Sequence, residues 1–599
     1  MPLTAAAGPR SHGPIPVRIV EEFDVRVPMR DGIDLVANVF RPEGTARLSA
    51  ILIRTPYGKG SELRPNYRAF VEHGYAVVVE DVRGRYKSEG VFDPLRQEVA
   101  DGEDTLSWIA HQEWSNRRVG MTGASYLGIT QWKAALSASP YLKAIFPIVA
   151  GDDDYFDRFY SRGGALKLGH RLEWIAENFR TPGFKPDFNR FVLETPLRYA
   201  DRMATGRNVD LFQQALDHPS YDSFWKSVST REELDHIRVP VFAAAGWYDN
   251  FVQSDLEAFS ILRRKGRVSR LIVGPWPHDL FYHFANVDFG PESRPPLRQI
   301  QFDWFDRWLQ GTGPAREAAE DAEAPLKIFV MGANRWRDER EWPLARAVTT
   351  PFFLTSHGKS NTLAGDGRLE PRQPRRGTPD RFVYDPADPV PTAGGNVCCN
   401  PMRMPWGPRD QREVERRRDV LVYSTAPLKQ PVEVTGPVRV VLYVSTTTPD
   451  TDFTAKLVDV SPDGSAVNLC DGILRLRYRD SIERPALAQP GRVYPVTIDA
   501  GVTSNEFGRG HRIRLEVSSS NFPHYDRNPN TGRAVADEKE MRRARQTVYH
   551  DRSRASQLLL PVIPESAAPA IARRAVPPPA PQHREVPPTA LRSPGGRPF

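Results

Sequence analysis

Apolar and polar positions divide the 599-residue chain into stretches with different periods. Residues 22–28 and 33–41 alternate in character around Arg30-Asp31-Gly32, which predicts two strands joined by a turn. Residues 50–54, 75–81 and 142–149 are instead continuous apolar runs, the pattern of parallel strands covered on both faces. Between them, residues 68–73 and 98–111 carry apolar side chains at helical spacing, and Gly74 closes the first as a C-cap. From 151 to about 236 the strand runs stop. Amphipathic segments with Tyr155, Phe156, Phe159, Trp174, Phe179, Phe188 and Phe191 take over, which predicts a helical insertion. Strand and helix then resume at 239–245, 254–264, 270–273 and 298–309. Beyond Pro325 many short strands with Gly/Pro turns predict a sandwich of the jelly-roll type, beginning with 326–331 and ending with 557–562.

The domain scheme expected from this pattern is an α/β unit at 17–150 and 237–314, interrupted by the helical insertion at 151–236. A β domain at 325–563 follows. Residues 1–16 and the ten-proline stretch 564–599 are expected to be tails outside the fold. Strands alternating with helices at this spacing argue for a parallel sheet.

The formal charge of +7 suggests nucleic acid until it is located. Five Arg and two Glu lie in 564–599, so +3 belongs to that stretch and +4 is spread over more than 500 residues, no binding footprint. The start of the chain lacks the apolar core of a secretory signal, and no run of about 18 apolar residues occurs, so no membrane span is expected. Three cysteines, Cys398, Cys399 and Cys470, show no metal spacing and no disulfide framework. Adjacent cysteines rarely bridge each other. A reducing, cytoplasmic location is the expectation. No Walker loop, dinucleotide fingerprint or His-Glu-x-x-His occurs, so no metal or organic cofactor is expected.

Chemistry gathers at Gly123-Ala124-Ser125-Tyr126-Leu127-Gly128, where a β-prone run meets a helix-compatible run, 126–137. A serine between small residues at a strand-to-helix turn fits a nucleophile elbow, although the second glycine stands one place later than usual. A serine nucleophile needs a base and an acid that orients the base, and in α/β-hydrolases these follow in the order acid, then histidine, at strand ends. Asp249 lies just past the strand at 239–245 and His278 just past 270–273, with His283 a rival histidine by position. An oxyanion needs two donors. The Tyr126 amide is one by geometry, and Tyr57, in the loop after 50–54, is either the second or a plain turn tyrosine.

These segments resemble the X-prolyl dipeptidyl-peptidase/cocaine-esterase family of serine hydrolases. The resemblance rests on Arg54-Thr55-Pro56-Tyr57, Asp81-Val82-Arg83-Gly84-Arg85 with Ser88-Glu89-Gly90, the serine motif, Gly246-Trp247-Tyr248-Asp249 and Gly274-Pro275-Trp276-Pro277-His278. In the β-rich half it rests on Phe329-Val330-Met331-Gly332, Trp336-Arg337-Asp338-Glu339 and Ser518-Ser519-Ser520-Asn521-Phe522-Pro523. It implies an α/β-hydrolase domain with a helical cap and a C-terminal jelly roll of the galactose-binding type. It implies Ser125 as nucleophile, His278 as base in preference to His283, Asp249 as its partner, and Tyr57 with the Tyr126 amide as the oxyanion hole. Relatives acting on α-amino-acid esters carry acidic residues just beyond the catalytic aspartate. Phe251 and Val252 stand there in this chain, and Phe251 resembles the aromatic that shapes an acyl pocket. The expected substrate is a small-molecule ester with a bulky apolar or aromatic acyl group. X-Pro dipeptides and amides, including β-lactams, are the alternative, and the family allows a homodimer.

Overall fold

The computed structural model describes residues 17–564 except 45, 281, 282, 286 and 312–322. The expectations for 1–16 and for 565–599 lie outside the described residues. The chain opens with β1 (Ile19–Pro28), β2 (Asp34–Pro42) and β3 (Leu48–Thr55), followed by α1 (Pro65–Glu72), β4 (Ala76–Asp81), α2 (Glu98–Ala110), β5 (Ser115–Ala124), α3 (Tyr126–Leu136) and β6 (Leu142–Ile148). After a helical stretch containing α4 (Gly169–Phe179), the sheet resumes with β7 (Val241–Gly246), α5 (Val252–Arg264), β8 (Ser269–Gly274) and α6 (Leu297–Phe305). Two further strands follow, β9 (Leu326–Val330) and β10 (Arg335–Glu339).

All ten strands form one sheet in the order β1-β2-β4-β3-β5-β6-β7-β8-β9-β10. The pairs from β4 through β9 are parallel, and the two edges are antiparallel hairpins. The continuous apolar runs are explained by burial on two faces. Val77 and Val79 of β4 pack with Phe305 on one side, and Ala76 and Val78 pack with Ile109 and Trp132 on the other. β5 lies in the middle, so its C-terminal end, where the serine motif sits, opens at the centre of one sheet edge. Loops after β3, β7 and β8 reach the same edge, as parallel pairing requires.

The strands at 326–331 and 335–339, expected among those of the β-rich half, extend the first sheet: β9 pairs in parallel with β8 and carries β10 as a hairpin. Their apolar positions complete the core beside Leu271 and Val273, which the local pattern could not reveal.

The second sheet holds twelve strands, ten on one path and two paired beside it, almost wholly antiparallel. Its longest strand, Val432–Thr446, pairs with Tyr494–Phe507 and with Gln557–Ile563. One apolar core runs from Trp247 and Ile328 beside the first sheet to Val440 and Leu515 of the second, so the two layers are packed together through it. One expectation needs correction: Cys398 and Cys399 are joined as a disulfide, with Cys399 turned to φ 91°. Cysteine usage therefore no longer argues for a reducing compartment. No helix among the described residues is long and apolar enough to cross a membrane.

Candidate active site

Ser125 stands between β5 and α3 with φ 58° and ψ −124°. Such a backbone conformation costs on the order of 1–3 kcal/mol for a residue with a side chain and persists only where surroundings enforce it. Here its amide donates to the Ile148 carbonyl at 2.9 Å, and its carbonyl accepts the amides of Gly128 and Ile129 at 2.8 and 3.0 Å. The flanking glycines permit the close packing. A Cβ on Gly123 would stand 2.5 Å from Leu127 Cβ, and one on Gly128 would stand 2.5 Å from Ala150 Cβ. The late glycine thus marks the point where α3 meets the chain leaving β6. Tyr126 is the first residue of the helix, so its amide has no carbonyl within α3 to bond and lies next to the serine.

Tyr57 faces this serine. Its hydroxyl shares a hydrogen bond with the Ser125 side chain and accepts one from the indole N–H of Trp174 at 3.0 Å. Burial pushes the phenol up, while the bonds with Trp174 and Ser125 work in the opposite sense. The loop is held from several sides. The Tyr57 amide donates to Thr55 Oγ1 at 3.1 Å, the Lys59 amide to Asp81 at 2.6 Å, and Tyr86 Oη to the Tyr57 carbonyl at 2.8 Å. Arg85 donates to the Pro56 carbonyl at 2.9 Å and to the Asn178 carbonyl at 2.6 Å. The motif at 81–90 therefore serves the loop at 55–59. Below it, Tyr126 Oη donates to Glu98 at 2.7 Å, and Glu98 and Glu80 flank Arg54 at 2.6 and 2.7 Å, with no side-chain exposure. Burial opposes the Arg54 charge, but Glu98, Glu80 and Asp101 outweigh it and keep the guanidinium protonated.

On the other side, His278 Nδ1 lies 2.8 Å from Asp249 Oδ1. That contact occupies one ring nitrogen and leaves Nε2 to other partners, the arrangement a general base needs. Asp249 is fully buried, and the His278 side chain keeps 12% exposure. The turn after β7 is fastened by the Asp249 amide on the Gly246 carbonyl and by the Phe251 amide on Asp249 Oδ2, at 2.8 and 3.1 Å. Phe251 is buried, its ring centroid 5.5 Å from that of His278. His283 is exposed and bridges Asp288 through its backbone, so the rival histidine is not the one on Asp249.

Three features lie beyond sequence reasoning. Trp174 reaches Tyr57 from α4. Asn396, from the β domain, donates to the carbonyls of Trp247 and Asp249 at 2.8 and 3.2 Å. Val397, Met404 and Trp406 of the same loop pack into the helical insertion. The aromatic content of 151–236 signals a core, but no local spacing marks which of its residues turns toward the serine. Among the described residues no group of three or more His, Cys, Asp or Glu side chains is arranged to hold a metal ion.

Known proteins resemble the chain along most of its length. Residues 31–279 match the model of the X-Pro dipeptidyl-peptidase S15 family, and 318–559 match that of the X-Pro dipeptidyl-peptidase C-terminal non-catalytic domain. A cocaine esterase from Rhodococcus sp. (strain MB1 Bresler) is 42% identical over 571 residues, covering 90% of this chain and 98% of the relative. Among solved structures, an alpha-amino acid ester hydrolase superposes with a TM-score of 0.79 at 25% identity, over 93% of this chain and 100% of that one. An aminopeptidase from a marine sediment archaeon, Thaumarchaeota archaeon, superposes with a TM-score of 0.78 at 25% identity, over 94% and 99%.

Proposed function

Because the chain belongs to the X-Pro dipeptidyl-peptidase (S15) family of serine hydrolases, we propose that it hydrolyses carboxylic esters with Ser125 as nucleophile. His278 is the base and Asp249 its orienting partner. The observation that carries this reading is the meeting, at one sheet edge, of a serine at φ 58°, a tyrosine bonded to its side chain and a histidine fixed by a buried aspartate. In this reading His278 Nε2 takes the Ser125 proton as Oγ attacks the ester carbonyl carbon. The oxyanion accepts from Tyr57 Oη–H and the Tyr126 N–H, each worth about 10²–10³ in rate. The intermediate collapses, the C–O bond to the alcohol breaks, and His278 returns the proton to the departing alcohol. Water, deprotonated by His278, then releases the acid and restores the serine.

Phe251 and Val252 are buried and apolar, so neither supplies a carboxylate for a substrate ammonium. That favours an apolar or aromatic acyl group, with Phe251 as a wall of its pocket. We read 151–236 as a cap over the site and the C-terminal sheet as a jelly roll that carries the Asn396 loop. A fluorophosphonate probe is expected to label the wild type and to leave Ser125→Ala unlabelled; equal labelling of both would overturn the assignment. A panel of p-nitrophenyl esters against X-Pro p-nitroanilides tests the substrate class. Esters are expected to lead by about 10²-fold in kcat/KM, a ratio worth roughly 2.7 kcal/mol, and a preference for the anilides would turn the reading to a dipeptidyl-peptidase.

A further inference from the structure

Trp174 touches both tyrosines of the oxyanion hole. Its indole N–H donates to Tyr57 Oη at 3.0 Å, and its ring lies parallel to that of Tyr126, with centroids 6.2 Å apart and planes 8° from parallel. A phenol has one proton and two lone pairs. With the indole N–H on a lone pair, the Tyr57 proton is directed away from Trp174, to the side where Ser125 lies. A bond accepted at Oη also polarises the O–H that Oη donates, and such chains strengthen one another in a dry site.

The surroundings amplify this. The Arg171 guanidinium lies 5.4 Å from the Trp174 ring centroid and is buried. Its Nε donates to the Arg158 carbonyl, and among the described residues no carboxylate stands within ion-pair distance of it. A cation over the indole makes its N–H a stronger donor and favours negative charge at the far end of the chain. The helix that carries both residues is pinned. The amides of Leu168 and Gly169 donate to the carbonyls of His524 and Pro523 at 2.9 and 2.7 Å. Glu173 accepts from Asn400 and Arg403 at 2.9 and 3.2 Å.

We propose that Trp174 is a positioning residue for catalysis: it aims and polarises the Tyr57 hydroxyl toward the oxyanion, and so acts through Tyr57 and not through its own contact with substrate. The inference rests on the reading of Tyr57 as an oxyanion donor, and the test separates the two. Trp174→Phe and Trp174→Tyr, which keep an aromatic ring and remove the indole N–H, are made in the wild type and in Tyr57→Phe. They are assayed on a p-nitrophenyl acetate too short to fill an acyl pocket, with thermal melting to confirm folding. The expected result is a loss of about tenfold in kcat, with little change in KM, for either Trp174 variant in the wild type. In the Tyr57→Phe background the loss shrinks to less than about twofold. Equal losses in both backgrounds would overturn the inference and leave Trp174 a packing residue. Should Tyr57→Phe alone leave kcat unchanged, the oxyanion reading falls and this inference with it, while probe labelling of Ser125 stands untouched.

Discussion

Among the described residues are two clusters of serine, histidine and aspartate. One is Ser125, His278 and Asp249 at the edge of the first sheet. The other is Ser356, His550 and Asp380 inside the second. In the second, Ser356 Oγ donates to Asp380 Oδ2 at 2.7 Å, and His550 Nε2 lies 2.9 Å from the same oxygen and 3.1 Å from the serine. Tyr423 Oη adds a bond of 2.8 Å to that oxygen, and the Ser360 amide one of 3.1 Å to the other. The serine therefore gives its proton to the carboxylate directly, and the histidine spends on the aspartate the nitrogen that faces the serine. His550 has no side-chain exposure. In the first cluster the aspartate takes Nδ1 instead, the serine sits on a strained turn at a helix start, and Tyr57 and Tyr126 stand beside it. Residue types are shared; the order of donation and the access are not. Such a triad is defined by which nitrogen holds the acid, and the same three side chains otherwise make a clamp between strands.

The largest effect expected from this contrast comes from replacing each aspartate by asparagine. Asp249→Asn disturbs the tautomer and orientation of His278, so kcat/KM for an ester is expected to fall by about 10⁴-fold with the melting temperature little changed. Asp380→Asn is expected to leave kcat per folded molecule intact while removing about 3 kcal/mol of stability, because four donors lose a charged acceptor in a buried place. Parallel ester assays and urea titrations check both. If the two variants behave alike, the two clusters do not differ in role.

Much of the first cluster is legible in the order of residues alone. Ser125, Asp249 and His278 each follow an apolar strand, and parallel pairing brings strand ends to one edge, so order along the chain translates into proximity. The second cluster is invisible there for the opposite reason: Ser356 and His550 are separated by 194 positions and lie on or next to strands that do not pair with each other, an encounter no local motif signals. Helix and strand positions are clear where burial sets a clean period, as in β4, with its run of Val77-Val78-Val79. They are ambiguous at β9, whose five residues read the same in either sheet. Trp174 stands out as an aromatic of the insertion, yet its bond to Tyr57 spans 117 positions. Tyr57 itself needs the family resemblance, since a Pro-Tyr-Gly turn says nothing about which way its hydroxyl points.

Two glycines sharpen the contrast at a smaller scale. A Cβ on Gly128 would meet Ala150 Cβ at 2.5 Å, and a Cβ on Gly377 would meet His550 Nδ1 at 2.6 Å. Either Gly→Ala change overpacks a close contact and is expected to cost about 1–3 kcal/mol. Only Gly128→Ala should also lower kcat, because pushing α3 off β6 moves Ser125 and the Tyr126 amide together. Gly377→Ala should destabilise and leave kcat alone. Differential scanning calorimetry with steady-state kinetics separates them, and a loss of kcat in Gly377→Ala would show that the second cluster is coupled to the first.

The smallest effect is a slope. Burial would raise the Asp380 carboxyl, but the bonds from His550, Ser356, the Ser360 amide and Tyr423 outweigh burial and hold it below the ordinary value of 3.8. An acid held down in the folded state binds fewer protons there than in the unfolded chain, so stability rises with pH through this window. Its contribution is complete above about pH 4, near the ordinary carboxylate value, and is lost as pH falls through the lower, folded value. Acid unfolding of the wild type between about pH 5 and pH 3 is therefore expected to be steeper than that of Asp380→Asn, which has no such proton to bind. At neutral pH the wild type is the more stable of the two, and the gap narrows as the pH drops. Urea midpoints measured across that range check the sign. A gap that widens on acidification would mean that the four donors do not favour the charged carboxylate, and the clamp would then be held by packing alone.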